Sequence, residues 1–341
     1  MNVVYSSSDS FSELAGISIL SLLEHNASFE EINIFLIDNG ISDENKEKLR
    51  SITDSYGRSL YFVSPLDIEK LSNTQINVGR WNISTFYRLF LPTILPETVD
   101  KVLFIDCDTI VLQDLSPLWN MDMAGKWLYG VDDCRGAAYR TNIGLKPEDN
   151  YINNGVLLMD LKSWRENHVE EQFLQFIHDN QGDITYVDQG VQNGVLSKQG
   201  KSGLLHPKYN CLTIFFAFDY ENLIKLRRPP VPGKKAEYIE ATKNPAIVHF
   251  QSCFKMSIRP WVEGCKHPYT QAFLDYKARS PWKDTPLRED DRTVPQKILS
   301  SAVNLMPETM MVDVVSFLHT KVYPLARNMK QRLHGGKQIT G

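Results

Sequence analysis

Close cysteine pairs are missing from this sequence. The five cysteines are odd in number and no two are separated by only two residues: Cys107, Cys134, Cys211, Cys253 and Cys265. This pattern argues against a zinc ribbon and favours free thiols in a reducing compartment. We therefore expect a cytoplasmic protein.

Long apolar runs and a dinucleotide-binding glycine motif are also missing. No run approaches the roughly 20 apolar residues that cross a bilayer. The N-terminal stretch has no basic region followed by an apolar block, and no GxGxxG follows the first predicted strand. Internal repeats and low-complexity tracts are absent as well. These absences disfavour secretion, membrane spanning and an NAD-binding protein.

What remains is the composition of a globular protein with a sizeable core. The chain has 341 residues, of which 42% are hydrophobic and 23% charged. That length allows one large or two ordinary domains. The formal net charge is −4, which does not favour a nucleic-acid partner, and we expect none.

The first third of the chain alternates between strand and helix patterns. Strands are predicted at residues 2–5, 31–38 and 59–63, and helices at 10–23 and 42–53. Such alternation predicts an α/β fold with a mostly parallel sheet flanked by helices. The first helix is expected to open with a capping box, Ser-Phe-Ser-Glu.

The loop after the first strand lies where open α/β sheets bind ligands, beyond the carboxyl end of the strand. Its side chains Ser6, Ser8 and Asp9 could hydrogen-bond a base or ribose. A solvated polar turn is the simpler interpretation of the same residues.

The stretch KVLFIDCDTIV at 101–111 is the clearest chemical feature. Its apolar run predicts a strand buried on both faces, which ends at Asp106 and Asp108. Side chains two apart on a strand point the same way, so both carboxylates should converge on one volume. Hard oxygen ligands suit Mg²⁺ or Mn²⁺. A turn with capping aspartates explains the spacing equally well.

Four other side chains are candidates with structural alternatives. Arg88, on the preceding helix, could pair with Asp106 or with a ligand diphosphate, and a salt bridge is slightly favoured. Asp188 and Gln189 would lie in a first helical turn, where the helix dipole stabilises an aspartate without any function. His249 ends a short apolar strand, where a lone histidine is more often a core residue than a ligand.

Two more stretches could contact a substrate. The segment 134–151 is long enough for a functional flap. After His249, the cationic side chains of Lys255 and Arg259 gather where a phosphate could sit.

Taken together, six ordered blocks resemble family 8 glycosyltransferases: VVYSSSD, FYRLFLP, KVLFIDCDTIVLQDLSPLW, YINNGVLLMDLKSWR, YVDQGVQNGVL and VHFQSCFKMSIRPW. The likeness spans roughly residues 1–280 and is strongest to bacterial lipopolysaccharide and lipooligosaccharide galactosyl- and glucosyltransferases. It implies a GT-A fold and retaining transfer from UDP-glucose or UDP-galactose. It also implies Mn²⁺, with Mg²⁺ as the alternative, and a glycan or lipid-linked saccharide acceptor in cell-surface polysaccharide synthesis.

The resemblance also implies roles for individual residues. The metal ligands would be Asp106, Asp108 and His249. The donor and acceptor contacts would come from Arg88, Asn153, Asp188 and Gln189. Because Gln189 is a poor nucleophile, same-face attack is favoured over a covalent intermediate.

The sequence departs from the family pattern at three places. An Arg-Pro-Trp sequence replaces Lys-Pro-Trp, which leaves Lys255 and Arg259 open as the diphosphate contact, with Arg259 favoured. Ser8 stands where some relatives carry an aspartate, so the base contact could shift to Asp9 or the backbone. Gly190 replaces a second aspartate, which leaves the acceptor specificity open.

The domain prediction divides the chain at residue 282. Residues 1–282 would form the catalytic domain, with nucleotide-sugar binding in 1–110 and the acceptor side in 111–282. Residues 283–341 would form a linker and a basic amphipathic helix. Its apolar stripe is Met311, Val314, Val315, Leu318, Val322, Leu325 and Met329. Its basic residues are Lys321, Arg327, Lys330, Arg332 and Lys337.

A basic amphipathic segment favours adsorption to an anionic membrane surface, here the inner face of the cell membrane. The alternative is a helix packed on the catalytic domain with a frayed tail.

Two rival functions share parts of this pattern. A haloacid-dehalogenase-type phosphatase also ends an apolar strand in DxD, and Asp106 would then be its nucleophile. Here, however, three strand-helix elements precede the motif, and Thr109 comes one position early. A catalytically silent nucleotide- or glycan-binding module is the other rival, and the intact DxD and His249 argue against it.

Overall fold

The computed structural model describes residues 1–79, 81–322 and 325. Within these ranges ten strands form: β1 Asn2–Ser8, β2 Asn33–Asn39, β3 Ser59–Val63, β4 Lys101–Ile105, β5 Thr109–Val111, β6 Leu128–Asp132, β7 Ile152–Asp160, β8 Ser202–Leu204, β9 Cys211–Leu212 and β10 Ile247–His249. Among the described residues the α-helices are α1 Ser12–His25, α2 Asp43–Ser55, α3 Ile68–Ser72, α4 Leu91–Ile94, α5 Ser116–Trp119, α6 Ala137–Thr141, α7 Leu161–Glu166, α8 Val169–Asp179, α9 Val187–Gln192, α10 Thr213–Ala217, α11 Tyr220–Arg227, α12 Lys235–Lys243, α13 Thr270–Arg279, α14 Val294–Leu305 and α15 Glu308–Phe317. A 3₁₀ segment, Ile83–Phe90, precedes α4.

Seven strands form the main sheet in the order β3-β2-β1-β4-β7-β6-β8. Strands β3, β2, β1 and β4 are parallel, and β8 is parallel to β6. Strand β7 runs antiparallel to both of its neighbours. The prediction of a mostly parallel sheet with flanking helices is confirmed, with one reversed strand that the alternation did not predict.

Strand β4 is covered on both faces, as its continuous apolar sequence predicts. Leu103 and Ile105 enter a core that includes α1, whereas Val102 and Phe104 enter a core that includes α8. Two apolar layers therefore hold the strand whose carboxyl end carries the paired aspartates.

The chain leaves the main sheet directly after β4. Asp106, Cys107 and Asp108 form a bend, and β5 then joins a small second sheet in the order β5-β10-β9. Two backbone hydrogen bonds fix this bend: the Asp106 N–H donates to the Gly155 carbonyl at 2.8 Å, and the Phe250 N–H donates to the Asp108 carbonyl at 2.9 Å. The paired aspartates thus join the two sheets.

The predicted capping box at the start of α1 is wrong. The helix begins at Ser12 and no side chain caps it. The Ser10 hydroxyl hydrogen-bonds that of Ser8 instead. The Glu13 carboxylate accepts from the buried ammonium of Lys277, so it cannot reach back to the helix start.

Helix α15 packs against α11 on the catalytic part of the chain. Met311 and Val312 are buried there, and the Ser316 hydroxyl donates to the Lys225 carbonyl at 2.9 Å.

Helix α14 begins where a linker was expected. Within the described ranges, no helix is long and apolar enough to cross a bilayer. Of the predicted C-terminal stripe and basic run, Met329, Arg327, Lys330, Arg332 and Lys337 lie outside the described residues.

Candidate active site

A cavity of about 710 Å³ opens at the edge where β1 and β4 end and β7 begins. It brings together ten of the predicted site residues: Ser6, Ser8, Arg88, Asp106, Asp108, Asn153, Asp188, Gln189, His249 and Arg259. Two predicted residues, Asp9 and Lys255, do not line it.

Three of these side chains form a compact cluster at one end of the cavity. Asp106, Asp108 and His249 each offer one ligand atom, and these atoms lie within 4.8 Å of one another. The His249 Nε2 is 3.2 Å from Asp108 Oδ1 and 3.9 Å from Asp106 Oδ2. Two carboxylates and one imidazole at this spacing could hold a single divalent cation.

The small sheet explains why His249 meets the aspartates. Strand β10 runs antiparallel to β5, and His249 is paired with Thr109, the residue after Asp108. The imidazole lies against Gly155 of β7, where a Cβ atom would be only 2.2 Å from the His249 Cε1. The pairing of β10 with β5 and the space left by Gly155 together place the ring beside the carboxylates.

Hydrogen bonds fix which nitrogen of His249 carries the proton. The Asn210 amide nitrogen donates to Asn153 Oδ1 at 2.8 Å, so the Asn210 oxygen faces His249 Nδ1 at 2.9 Å. Nδ1 must donate to that oxygen, so Nε2 is the ring nitrogen that faces the carboxylates and could bind a cation between them. An outer partner that sets the tautomer in this way is typical of metal-binding histidines.

The same chain of hydrogen bonds continues across the cavity. The Asn153 amide donates to Gln189 Oε1 at 3.5 Å, and the Gln189 amide donates to Asp133 Oδ2 at 2.9 Å. The Arg135 Nε also donates to Asp133 Oδ2, at 2.6 Å. The cluster at one end and an arginine at the other are therefore connected through Asn153 and Gln189.

Burial and neighbouring charges act differently on the two aspartates. Burial raises the pKa of Asp106, although Arg88 and His249 oppose the shift. Burial also disfavours the charged form of Asp108, but His249 and Arg259 outweigh it and lower the Asp108 pKa. Burial likewise opposes the charged His249, yet Asp108 raises its pKa. The two carboxylates compete for the same positive groups, so a cation between them would satisfy both.

Arg88 holds two of the acidic side chains in place. The buried guanidinium donates from Nη2 to Asp106 Oδ1 at 3.0 Å, and its Nε lies 3.2 Å from Asp188 Oδ2. The group also lies over the Phe104 ring, 4.4 Å from its centroid. The salt bridge with Asp106 expected from the sequence is therefore formed, and Arg88 orients two carboxylates at once.

Asp188 and Gln189 begin a strained helical turn. The two preceding residues, Tyr186 and Val187, have φ of 60° and 45°. Left-handed backbone is unfavourable for a β-branched residue, and such strain is common at functional sites. The Asn154 amide donates to Asp188 Oδ2 at 2.8 Å, which fixes the buried carboxylate toward the cavity.

At the carboxyl end of β1, which extends beyond the predicted strand at 2–5 to Ser8, Ser6 and Ser8 face the cavity. Asp9, the next residue, does not. Asp9 Oδ1 accepts from the Ser42 N–H and from the Asn45 amide, both at 2.8 Å. These hydrogen bonds, of which the Ser42 contact is the strongest cause, lower the Asp9 pKa to about 2. In the structure Asp9 ties the loop to α2.

The two cationic candidates after β10 lie apart. Arg259 borders the cavity, with Nη1 3.9 Å from Asp108 Oδ2. The Lys255 ammonium points to the C-terminal helix, 2.9 Å from Glu308 Oε2 and 4.6 Å from the Phe218 ring centroid. Of these two side chains, Arg259 is therefore the one that lies beside the carboxylate cluster.

Residues that were not predicted also contribute to the cavity or its hydrogen bonds, among them Asp133, Arg135, Asn210 and Arg227. Asp133 carried a signal, since it follows a strand just as Asp108 does. Asn210 and Arg227 lie in segments with no pattern that points to a site.

A comparison with family models assigns residues 2–264 to a model described as Glycosyl transferase family 8. General stress protein A of Bacillus subtilis is 28% identical, over 83% of this chain and 94% of that protein. Lipopolysaccharide 1,2-glucosyltransferase of Escherichia coli K12 is 22% identical, over 85% of this chain and 81% of that protein.

Solved structures show the same fold. The galactosyltransferase LgtC in complex with donor and acceptor sugar analogs matches with a TM-score of 0.69 and 23% identity, over 82% of this chain and 96% of that one. The apo structure of the bifunctional glycosyltransferase WbbM matches with a TM-score of 0.65 and 19% identity, over 83% of this chain and 50% of that one. These likenesses confirm the predicted GT-A architecture.

Proposed function

This chain belongs to glycosyl transferase family 8, and on that premise we propose that it moves glucose or galactose from a UDP-sugar to a glycan or glycolipid acceptor. Transfer would retain the anomeric configuration and serve cell-surface polysaccharide synthesis. The observation that carries the proposal is the cluster of Asp106, Asp108 and His249 at one end of a cavity large enough for a nucleotide sugar. The names of the lipopolysaccharide glucosyltransferases among its relatives support this acceptor class.

The residues present fit a divalent cation. Asp106 and Asp108 offer hard oxygens, and His249 offers an Nε2 whose lone pair is freed by the hydrogen bond at Nδ1. Mixed oxygen and nitrogen donors favour Mn²⁺ over Mg²⁺. When bound, the cation would supply Lewis-acid stabilisation for the negative charge that develops on a leaving diphosphate.

Side chains of the protein would bind and orient the donor. Arg259, half-exposed beside the cluster, is positioned to contact the diphosphate. Arg88 would hold Asp106 toward the cation and Asp188 toward the sugar, because it pairs with both. Ser6 and Ser8 would contact the nucleoside from the carboxyl end of β1.

Retention is best explained by same-face attack. The Gln189 amide is a poor nucleophile, and both of its ends are already hydrogen-bonded, to Asn153 and to Asp133. Asp188 is paired with Arg88 and Asn154, so it would position a sugar hydroxyl rather than attack carbon. Enclosure within the cavity would limit hydrolysis of the donor.

The test is release of UDP from UDP-glucose and UDP-galactose by the full chain, with Mn²⁺, with Mg²⁺ and with EDTA. Asp108→Asn should reduce turnover by roughly 100-fold, since it removes a charged ligand, while thermal unfolding stays cooperative. The exposed Asp179→Asn on α8 is the matched control. Normal turnover of Asp108→Asn, or normal turnover in EDTA, would refute the assignment. Release of phosphate from simple esters would instead identify a phosphatase.

We also propose that the outer face of the C-terminal helices rests on an anionic membrane surface on the cytoplasmic side. Large apolar side chains are exposed there: Ile298, Leu305, Met310, Val314 and Phe317. The sequence after Asp313 contains five basic residues and no acidic one. Exposed apolar area beside basic residues is the combination that binds anionic lipid.

Co-sedimentation with phosphatidylglycerol vesicles tests this second proposal. The unmodified chain should sediment with these vesicles and not with phosphatidylcholine vesicles. Phe317→Glu should weaken the binding, whereas Val231→Glu, at an equally exposed valine between α11 and α12, should not. Equal binding by both variants would exclude this face as the contact.

A further inference from the structure

The end of the cavity opposite the cation cluster carries an excess of positive charge. Arg135 lines this end, and the two carboxylates just before it in the chain, those of Asp132 and Asp133, each have an arginine partner. Arg135 Nε is 2.6 Å from Asp133 Oδ2, and Arg140 Nη2 is 3.4 Å from Asp132 Oδ1. A third guanidinium, that of Arg227, also lines the cavity. No carboxylate among the described residues forms an ion pair with it. Asp133, the carboxylate that acts on it electrostatically, is already paired with Arg135, so one positive charge is in surplus.

Arg227 is held at the cavity wall by its helix. It ends α11, where the adjacent Leu226 is fully buried. The Arg227 carbonyl lies so close to Gly136 that a Cβ there would be 2.9 Å from it. The Arg227 Nε is shielded from solvent and has no hydrogen-bond partner in the described part of the chain. An unpartnered buried donor costs free energy unless a ligand or water meets it.

Aromatic side chains line the same end. The Arg135 guanidinium lies 4.3 Å from the Tyr186 ring centroid and donates to the Tyr186 hydroxyl at 2.8 Å. Trp81 packs edge-on against Tyr186, with ring centroids 6.2 Å apart. Aromatic faces beside polar groups suit the apolar face of a sugar ring.

The two guanidinium groups also act on a neighbouring histidine. Burial, followed by the charges of Arg227 and Arg135, lowers the pKa of His319 to about 4. Burial and Arg135 also lower the pKa of Arg227 itself. An anion entering this end would relieve the repulsion between the two guanidinium groups.

The basic end lies on the acceptor side of the cavity. It is separated from Asp106, Asp108 and His249 by the Asn153, Gln189 and Asp133 hydrogen bonds described above. The diphosphate of a donor held at the cation cluster would meet Arg259, which lies 3.9 Å from Asp108 Oδ2, and would leave Arg227 for another anion. The group met by Arg227 therefore belongs to the second substrate.

From these contacts we infer that the acceptor carries an anionic group, either the carboxylate of a uronic acid or a phosphate monoester, and that Arg227 binds it. This inference rests on the proposed function, because it assigns the chemistry of the acceptor in the same cavity. Arg135, fixed by Asp133 and Tyr186, supports the sugar ring and adds to the field. A neutral saccharide would leave the Arg227 charge unpaired inside the complex.

The experiment is calorimetric titration of the full chain in two steps. UDP is first added with Mn²⁺, and its binding reports on the proposed function alone. The UDP-saturated protein is then titrated with methyl β-glucuronide, with glucose 6-phosphate and with methyl β-glucoside. At least one anionic probe should bind about tenfold more tightly than the neutral glucoside, a difference of about 1.4 kcal/mol. The two anionic arms distinguish carboxylate from phosphate.

Variants decide whether Arg227 is responsible. Arg227→Gln should remove the preference for the anion while UDP binding stays unchanged, and Arg227→Lys should restore part of it. The neighbouring exposed Arg228→Gln is the matched control. The inference is overturned if neither anion binds better than the glucoside, or if Arg227→Gln keeps the preference. It is also overturned if Arg227 binds an anionic group on the donor sugar. In that case UDP-glucuronate would bind more tightly than UDP-glucose to the unmodified chain but not to Arg227→Gln.

Discussion

Two residues that are not predicted ligands, Gly155 and Asn210, determine how His249 is oriented in the candidate metal site. Gly155 leaves the space in which the His249 ring lies, and Asn210 sets the tautomer of that ring. Neither residue can bind the cation through its side chain in this arrangement. Their contribution is to present His249 Nε2 to Asp106 and Asp108 in one orientation.

Replacing Gly155 by alanine should therefore act on the cation rather than on the fold. The new Cβ would be 2.2 Å from His249 Cε1, so the ring must move away from the carboxylates. We expect Mn²⁺ affinity and UDP release to fall by about 10- to 100-fold. Electron paramagnetic resonance of free Mn²⁺ during a titration measures the affinity.

A control separates this effect from general destabilisation. Gly200 lies in an open turn with φ of 67°, so Gly200→Ala should lower the free energy of unfolding by about 1 kcal/mol without changing Mn²⁺ affinity. If Gly155→Ala binds Mn²⁺ with the affinity of the unmodified chain, Gly155 does not determine the position of the His249 ring.

The sequence predicts the candidate metal ligands better than the residues that orient them. Asp106, Asp108 and His249 could be predicted because carboxylates and imidazole have a recognisable chemistry, and because the family blocks align them. Asn210 could not, since a single amide in an irregular segment has no pattern. Asp9 was predicted to contact the base, but its carboxylate accepts from the Ser42 N–H at the start of α2. Free N–H groups at a helix start attract a carboxylate.

Among the elements, the segments between regular structure differ most from prediction. The apolar periodicity of residues 161–180 predicts a single amphipathic helix. The structure instead forms two helices, α7 and α8, separated at His168, whose φ is 50°. The Asn167 side chain donates back to the Ser163 carbonyl at 2.8 Å and so competes with continuation of α7. Apolar periodicity persists through such a break, which is why the pattern did not reveal it.

The C-terminal helix α15 offers a clean test of packing within one element. Met311 is 2% exposed and belongs to the main core, whereas its neighbour Met310 is 54% exposed. Met311→Ala should lower the free energy of unfolding by about 2–4 kcal/mol, and Met310→Ala should change it by less than about 0.5 kcal/mol. Urea unfolding measures both, and amide hydrogen exchange across α15 localises the effect. Equal values for the two variants would mean that α15 does not pack on α11 in solution.

For the whole molecule, the alternation of strands and helices was enough to predict the architecture, but not the reversal of β7. Antiparallel neighbours such as β6 and β7 can be joined by a short turn, yet the segment 134–151 between them is long. That segment contains α6 and brings Arg135 to the cavity. Neither the reversal of β7 nor this placement of Arg135 follows from the alternation of strands and helices.

Acid stability of the whole molecule should depend on the buried His267. Its ring lies 4.9 Å from the ring centroids of both Phe216 and Phe250, and burial lowers its pKa to about 4. Since the unfolded side chain has the ordinary pKa near 6.5, the unfolded state binds more protons between these values. Stability should thus be fully present above pH 6.5 and fall as the pH decreases to 4, by about 3 kcal/mol in total.

His267→Phe keeps an aromatic ring in place and removes the titrating group. Between pH 6.5 and 4 its free energy of unfolding should fall less steeply than that of the unmodified chain, although its value at pH 7 is lower because the Tyr269 N–H loses its acceptor, His267 Nδ1. Urea unfolding at several pH values gives both slopes. The exposed His178→Gln serves as the control and should keep the original slope. If His267→Phe also keeps that slope, the buried imidazole does not govern acid unfolding, and the loss of stability must come from other groups that gain protons on unfolding.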